Sequence, residues 1–182
     1  MAGLRAGVLL DRDGVLNVRP PKHRYVESVD AFEWLPGARA ALGVLSRAGY
    51  PLAVVSNQRG IARGLVTWST LRAVEARMQA DLAPFGAQIA GFYYCPHRRD
   101  EGCGCRKPRA GLLLEAADEL QLDLTLSTMI GDSEDDVEAG RAVGCYTILV
   151  GSTGSATAPD LVAHDLGSAA RAILERSGAV RP

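Results

Sequence analysis

The stretch GVLLDRDG, residues 7–14, runs a short apolar segment straight into two aspartates and a glycine. A run this brief, closed abruptly by turn-forming residues, reads as a buried strand that empties into an acidic loop. The same arrangement returns along the chain. Apolar runs at Leu52–Val55, Gly91–Tyr94, Thr128–Ile130 and Tyr146–Val150 are each bounded by turn signals, and join Gly7–Leu10 as predicted strands. Stretches of helical period lie at Gly37–Ala48, Thr67–Pro84, Ala110–Leu120, Glu134–Val143 and Gly167–Ser177. In the second of these, Leu71, Val74, Met78 and Leu82 recur at spacings of three and four and so share one buried face. Ser133 is placed to cap the fourth, with Asp136 at a position favourable to the helix dipole. Gly151–Pro159, rich in Gly, Ser, Thr and Ala, reads as a loop before the last helix. Strands alternating with helices specify an α/β fold, a mostly parallel sheet with helices on both faces.

At 182 residues the chain has the size of one domain, spanning residues 1–182. A net charge of −1 and a hydrophobic content of 47% indicate neither disorder nor general attraction to nucleic acid. The apolar start is cut off by Asp11-Arg12-Asp13 before it becomes a signal peptide, and no other stretch is long enough to span a bilayer. Three of the four cysteines, Cys95, Cys103 and Cys105, bunch beside His97. That clustering suits metal ligation in a reducing compartment better than a disulfide framework, so a cytoplasmic protein is expected. Cys145 stands apart and reads as a small buried hydrophobe.

In parallel sheets ligands bind beyond the carboxyl ends of the strands, so the residues that follow each strand belong together. They are Asp11-Arg12-Asp13-Gly14, Ser56-Asn57-Gln58, the cysteine loop ending in Arg106-Lys107, and Gly131-Asp132. Asp11, Asp13 and Asp132 brought to one place repel unless a cation joins them, and a hard ion such as Mg²⁺ takes carboxylate oxygens, water and substrate phosphate together. The set suits phosphoryl transfer. One carboxylate, Asp11, serves as nucleophile and forms an aspartyl-phosphate; a second, Asp13, kept protonated, donates to the leaving oxygen and later activates water. The Ser56 hydroxyl and the Lys107 ammonium hold the transferring oxygens, and Gly14 lets the backbone approach the phosphate. Each residue alone also has an ordinary use, the aspartates as turn or cap residues, Ser56 as a turn former and Lys107 as a solvated surface lysine. The weight lies in four polar clusters each following a predicted strand.

DRDGVLN, SNQRGIARG, CRKPRAG and GDSEDDVEAG resemble, in order, the four signature segments of the haloacid dehalogenase (HAD) superfamily of phosphatases, from about Val8 to Val150. More narrowly, SNQRGIARG, YYCPH and CRKPRAGLL resemble the D-glycero-D-manno-heptose 1,7-bisphosphate 7-phosphatase family, with histidinol-phosphate phosphatases as relatives. The resemblance implies a Rossmann-like HAD domain and a Mg²⁺-dependent phosphomonoester hydrolase. It makes Asp11 the nucleophile, Asp13 the proton donor that also binds Mg²⁺ through its backbone carbonyl, and Asp132 the third protein ligand. Ser56 and Lys107 match phosphate-stabilising positions, and Asp136 a position behind the metal ligands.

Cys95-x-His97-x5-Cys103-x-Cys105 offers three sulfurs and one nitrogen, enough for a closed tetrahedral Zn²⁺ site over residues 95–105. A reduced, partly exposed cysteine loop is the other reading of the spacing; both phosphatase families named include zinc-binding members with this ligand set. Zinc closed here would be structural in bonding and would fix Arg106-Lys107, which follow directly.

Asp11 to Ser56 and Ser56 to Lys107 are too short for a large cap domain, so the site is expected to be open and roofed by loops. Arg19, Lys22, His23 and Arg24 lie in one such loop, Arg59 and Arg63 in another. Together they favour an anion with a second negative group, such as a sugar bisphosphate whose distal phosphate meets Arg106. Arg19, Asn57, Gln58, Arg59 and Arg106 are therefore the expected substrate contacts. The cationic amine of histidinol phosphate suits this surround less well, although the short cysteine loop has a length also found in that family, and Ser133 stands where heptose enzymes commonly carry lysine and Arg59 where a small residue is common; a broad small-molecule phosphatase is the further alternative. A receiver-type phospho-switch shares the acidic site and lysine but lacks the paired aspartates and the zinc loop. A nucleic-acid binder is opposed by the near-neutral charge and few aromatics. With no large exposed apolar pattern, a monomer is expected.

Overall fold

The computed structural model describes residues 4–151 and 158–178. Each predicted strand is present. β1 (Val8–Leu10), β2 (Leu52–Asn57), β3 (Ile89–Cys95), β4 (Thr128–Gly131) and β5 (Tyr146–Val150) join a further strand, β6 (Leu161–Ala163), in one sheet ordered β3-β2-β1-β4-β5-β6. Every pairing is parallel. The three residues of β6 sit where the sequence reads as the approach to the last helix, too short for any period to show. Its place is held by Asp160, whose Oδ2 accepts from both the N–H and the Oγ1 of Thr147 on β5 at 2.7 Å. The loop expected over 151–159 falls largely on residues 152–157, outside the described residues.

The helices follow the predicted ones to within two residues at each end: α1 (Ala38–Arg47), α2 (Trp68–Leu82), α3 (Gly111–Leu120), α4 (Glu134–Ala142) and α5 (Leu166–Arg176). The second was expected to reach Pro84, but the α-helix stops at Leu82 and a single 3₁₀ turn, Ala83–Phe85, replaces its end. Proline has no N–H to give to the preceding turn, and the chain then leaves through Gly86 at φ 65°.

Strand alternation sorts the core into two layers. Val8 and Leu10 of β1 face α1, α2 and α5 with Val54, Ile130 and Ile148, whereas Leu9 faces α3 and α4 with Val55, Met129, Leu113 and Ala139. Cys145 is buried in the second layer, and burial raises its thiol pKa to about 12. The sheet is covered on both faces, so its free ends are the carboxyl edge and the opposite one. β1 is central, and the chain crosses to β2 on one side and, after β3, to β4 on the other. The crevice outside such a reversal is where ligands bind.

Candidate active site

The loops after β1, β2, β3 and β4 meet there around a cleft of about 590 Å³. Asp11, Asp13, Ser56, Asn57, Lys107 and Asp136 form its floor, while Arg19 to Tyr25, Arg59, Arg99 and Arg106 line the sides. No folded insert covers it among the described residues, as the short inter-motif spacings required.

Lys107 is the centre of the floor. Its side chain is 1% exposed, and Nζ donates to Asp11 Oδ1 at 2.8 Å and to the Val55 carbonyl at 2.6 Å while pairing with Asp136 Oδ1 at 2.5 Å. All three ammonium hydrogens are thereby used. Burial alone would depress the amine, but the Asp11 and Asp136 charges outweigh it and Lys107 is held well above its ordinary range. A lysine buried like this has no surface role. Its backbone is fixed as tightly, because Asn57 donates Nδ2 to the Lys107 carbonyl and accepts the Lys107 N–H at Oδ1, both at 3.1 Å. Asn57, expected to touch substrate, lines the cleft but commits its amide to the Lys107 backbone.

Asp11 and Asp13, two residues apart, occupy opposite environments. Burial raises Asp11, with Lys107 opposing and Asp136 adding to the rise. Burial pushes Asp13 up too, but the charge of Arg12 and hydrogen bonds from Asn17 and Gln58 hold its carboxyl below the usual range. Arg12 is wholly buried and forks onto Asp13, Nε to Oδ1 and Nη2 to Oδ2 at 3.1 Å each. Asn17 Nδ2 adds a bond to Oδ1 at 2.9 Å and Gln58 Nε2 one to Oδ2 at 3.0 Å. The expectation of a protonated Asp13 is therefore corrected, since four N–H donors on its two oxygens favour the carboxylate. Gln58 is corrected as well. It is 2% exposed, does not line the cleft, and serves Asp13 and the Ser56 hydroxyl (3.2 Å) rather than a ligand.

Oxygens of Asp11, Asp132 and Asp136 lie within 4.8 Å of one another. Burial, then repulsion from Asp11, raises Asp132 to about 7. Such crowding is relieved by a cation, and the hard oxygen donors fit Mg²⁺. Arg19, expected at the substrate, here pairs with Asp132, and its half-exposed side chain is free to yield that oxygen. Two glycines permit the approach. A Cβ on Gly14, at φ 98°, would lie 1.9 Å from Asp132 Oδ2, and one on Gly131 would lie 2.1 Å from Asp136 Cβ. Asp136 is also the anchor of α4, accepting the Ser133 N–H at 3.1 Å in the expected cap.

Beside the cleft, Cys95, His97, Cys103 and Cys105 bring their ligand atoms within 4.8 Å of one another. Cys95 Sγ lies 3.6 Å from both Cys103 Sγ and His97 Nδ1, and Cys105 Sγ lies 3.3 Å from His97 Nδ1. The edges of a tetrahedron with zinc–sulfur and zinc–nitrogen bonds of ordinary length are about 3.6–3.8 Å, so these donors already stand close to the corners. All four cysteines are free thiols. Arg106 leans on this loop, giving Nη1 to the His97 carbonyl at 3.2 Å, and lines the cleft. Arg59 lines it from the other side, its Nε held by the Tyr25 hydroxyl at 2.9 Å. Arg12, Asn17 and Tyr25 went unread in the sequence: an arginine or tyrosine in a loop carries no mark of what its side chain will face.

Residues 104–174 match a family model described as HAD-hydrolase-like. The chain is 42% identical over 143 residues to a D-glycero-β-D-manno-heptose-1,7-bisphosphate 7-phosphatase of Pseudomonas putida, covering 79% of this chain and 81% of that one. It is 37% identical to the phosphatase of the same name from Pseudomonas aeruginosa, over 94% of this chain and 99% of the other. Among solved structures, D,D-heptose 1,7-bisphosphate phosphatase from B. bronchiseptica, complexed with magnesium and phosphate, superposes with a TM-score of 0.87 at 33% identity, covering 94% and 99% of the two chains.

Proposed function

The chain belongs to the D-glycero-β-D-manno-heptose-1,7-bisphosphate 7-phosphatase family of HAD-type hydrolases, and we propose that it removes the 7-phosphate of that sugar bisphosphate through a phosphorylated Asp11. The observation that carries this reading is Lys107 locked between Asp11 and Asp136 at the floor of an open, arginine-lined cleft.

A carboxylate oxygen of Asp11 attacks phosphorus as the bond to the sugar oxygen breaks, and Asp13, having first taken a proton from solvent, hands it to that oxygen. Water then attacks the aspartyl-phosphate, Asp13 takes its proton, and inorganic phosphate leaves with Asp11 restored. Asp13 rests in the form needed for the second half. To carry a proton it must lose a donor, and Gln58 is the partner able to change: turning its amide presents Oε1, with the Ser56 hydroxyl reversing its role. Arg12 has only donors, and Asn17 is committed by a second bond from Nδ2 to the Val18 carbonyl at 2.9 Å. Lys107 and Ser56 meet the charge that gathers on the transferring oxygens. Mg²⁺ held by Asp11, Asp132 and the Asp13 backbone carbonyl would supply further charge neutralisation to the phosphate. Zn²⁺ held by Cys95, His97, Cys103 and Cys105 would order the segment that delivers Arg106 and Lys107.

Phosphate release by the purified protein with Mg²⁺ tests the assignment on heptose 1,7-bisphosphate (each anomer), fructose 1,6-bisphosphate and histidinol phosphate. Preference for the β-heptose, abolished in Asp11→Asn, is expected. Preference for histidinol phosphate, or release that survives the substitution, overturns it.

A further inference from the structure

Arg12 spends only part of its guanidinium on Asp13. Nε and Nη2 make the fork, while Nη1, on a side chain that is wholly buried, has no hydrogen-bond partner among the described residues. The Tyr94 hydroxyl is a second buried polar atom in the same position. Buried polar groups are costly to leave unpaired, and one of these can only donate while the other can accept.

The sheet places Tyr94 for this. It lies opposite Ser56 in the β2–β3 register, on the face covered by α1, α2 and α5, and its ring stacks on Phe92 with 6.3 Å between centroids. Tyr93, one residue earlier, turns to the other face and gives its hydroxyl to Glu119 of α3 at 3.0 Å. From α2, beside the buried Val74, comes the half-buried Glu75. Burial raises the Tyr94 phenol, with the Arg12 charge opposing and the Glu75 charge adding to the rise. Burial raises the Glu75 carboxyl as well, against the pull of the Tyr94 hydroxyl and then of the Arg72 and Arg12 charges. The hydroxyl thus stands between guanidinium and carboxylate. Arginine has only donors, a carboxylate only accepts, and a phenol does both, so the three join in a single order: Arg12 Nη1–H to the Tyr94 oxygen, and the Tyr94 O–H to Glu75, directly or through one ordered water.

We infer that Tyr94 and Glu75 are positioning residues, holding Arg12 from behind and, through its fork, fixing the Asp13 carboxyl beside the leaving oxygen. The inference rests on the proposed part of Asp13 as proton donor. When Gln58 turns its amide, Arg12 and Asn17 are the donors that keep Asp13 in place, so slack in Arg12 passes straight to the acid. A guanidinium tied at one end to Asp13 and at the other to Tyr94 has no free rotation in which to lose that alignment.

The leaving group separates this part from a structural one. An alkoxide needs a proton to depart and p-nitrophenolate does not, so the readout is the ratio of kcat on an alkyl phosphate to kcat on p-nitrophenyl phosphate. The alkyl phosphate is whichever of heptose 1,7-bisphosphate, fructose 1,6-bisphosphate and histidinol phosphate the wild-type protein turns over fastest. Tyr94→Phe keeps the ring, removes the hydroxyl and lowers the ratio roughly 10-fold with KM unchanged; Glu75→Ala lowers it in the same sense. Glu75→Gln retains an acceptor for the Tyr94 hydroxyl and recovers most of that loss. Tyr93→Phe removes the same group from the opposite face and keeps the wild-type ratio. An equal fall on both substrates in Tyr94→Phe overturns the inference, as does an unchanged ratio, or a ratio in Glu75→Gln as low as in Glu75→Ala. Asp13→Asn is run beside them. A ratio that falls there and holds in Tyr94→Phe leaves Asp13 as the donor and sinks the inference alone, whereas a ratio that holds in Asp13→Asn removes the donor and the inference with it.

Discussion

Replacing Lys107 by methionine keeps the length of the side chain and removes its charge from between Asp11 and Asp136. Asp11 is 7% exposed and Asp136 2%, and the Val55 carbonyl loses its donor as well. Breaking a buried ion pair by deleting one partner costs about 3–5 kcal/mol, because the remaining charge has neither water nor counter-ion. For a chain of this size about 2–4 °C of Tm follows each kcal/mol, so Tm falls by roughly 6–20 °C. The pH dependence identifies the cause. Asp11 is raised in the wild type by burial against the opposing pull of Lys107, so without the lysine it rises further. An acid whose folded pKa exceeds its unfolded one costs stability above the folded value, and the cost fades as pH falls through that value towards the unfolded one. The Tm deficit is therefore full at alkaline pH and shrinks as the solution is acidified through the raised folded pKa, where Asp11 takes up the proton that the lysine no longer excludes. The assay is thermal unfolding of both proteins across that range without added metal, with phosphate release measured beside it. Loss of the charge that stabilises the transferring oxygens lowers kcat by about 10²-fold or more. A Tm within about 2 °C of wild type, or a deficit that does not shrink with falling pH, refutes the reasoning.

Gly14→Ala drives a methyl group into the Asp132 carboxylate and asks alanine to hold φ 98°, so Mg²⁺-dependent turnover is expected to collapse while circular dichroism still shows the α/β fold; retained activity means Asp132 is not needed where the structure puts it. Cys103→Ser with Cys105→Ser removes two of four soft ligands, and elemental analysis should find zinc lost, KM raised and Tm lowered; zinc retained at full occupancy contradicts the assignment. Asp165 caps α5 by accepting the Ser168 N–H at 2.7 Å, and the Ser168 hydroxyl, ahead of that N–H, lowers its pKa to about 2 by donating to the same carboxylate. Asp165→Ala is expected to cost about 0.5–2 kcal/mol at neutral pH. Since the folded pKa is depressed, the cap contributes above the unfolded value of 3.8 and is lost as pH falls towards about 2, so the Tm gap should close over that range; a gap constant with pH argues against the charged cap.

Strand ends were the legible part of the site. Asp11, Ser56, Lys107 and Asp132 could be grouped because a parallel sheet delivers the residue after each strand to one edge whatever its side chain. Side-chain direction was not legible. Asn57 and Gln58 stand at the end of β2 beside Ser56, yet one turns to the Lys107 backbone and the other beneath the floor to Asp13. Nothing in their order distinguishes a residue that touches ligand from one that holds its neighbour. β6 was missed for a related reason, since three residues carry no period and the strand depends on Asp160 reaching across to Thr147.

The paired aspartates show most clearly what spacing cannot say. Asp11-x-Asp13 places two identical acids two residues apart, and only their surroundings assign them different chemistry. The residue between them is part of the assignment. The chain turns at the end of β1 and sends Arg12 inward, wholly buried, where its guanidinium forks onto Asp13. Lys107, arriving from the far side of the sheet, takes Asp11. Each acid thus has its own cation, one a fork with no proton to give up and one a point charge shared with Asp136. The consequence is that Asp11 remains available to a metal ion and to phosphorus, while Asp13 is fixed beside it by donors from three residues. On the proposed mechanism a nucleophile needs the first environment, and an acid that must not compete for phosphorus is held back by the second, so Arg12 separates the parts of the two carboxylates.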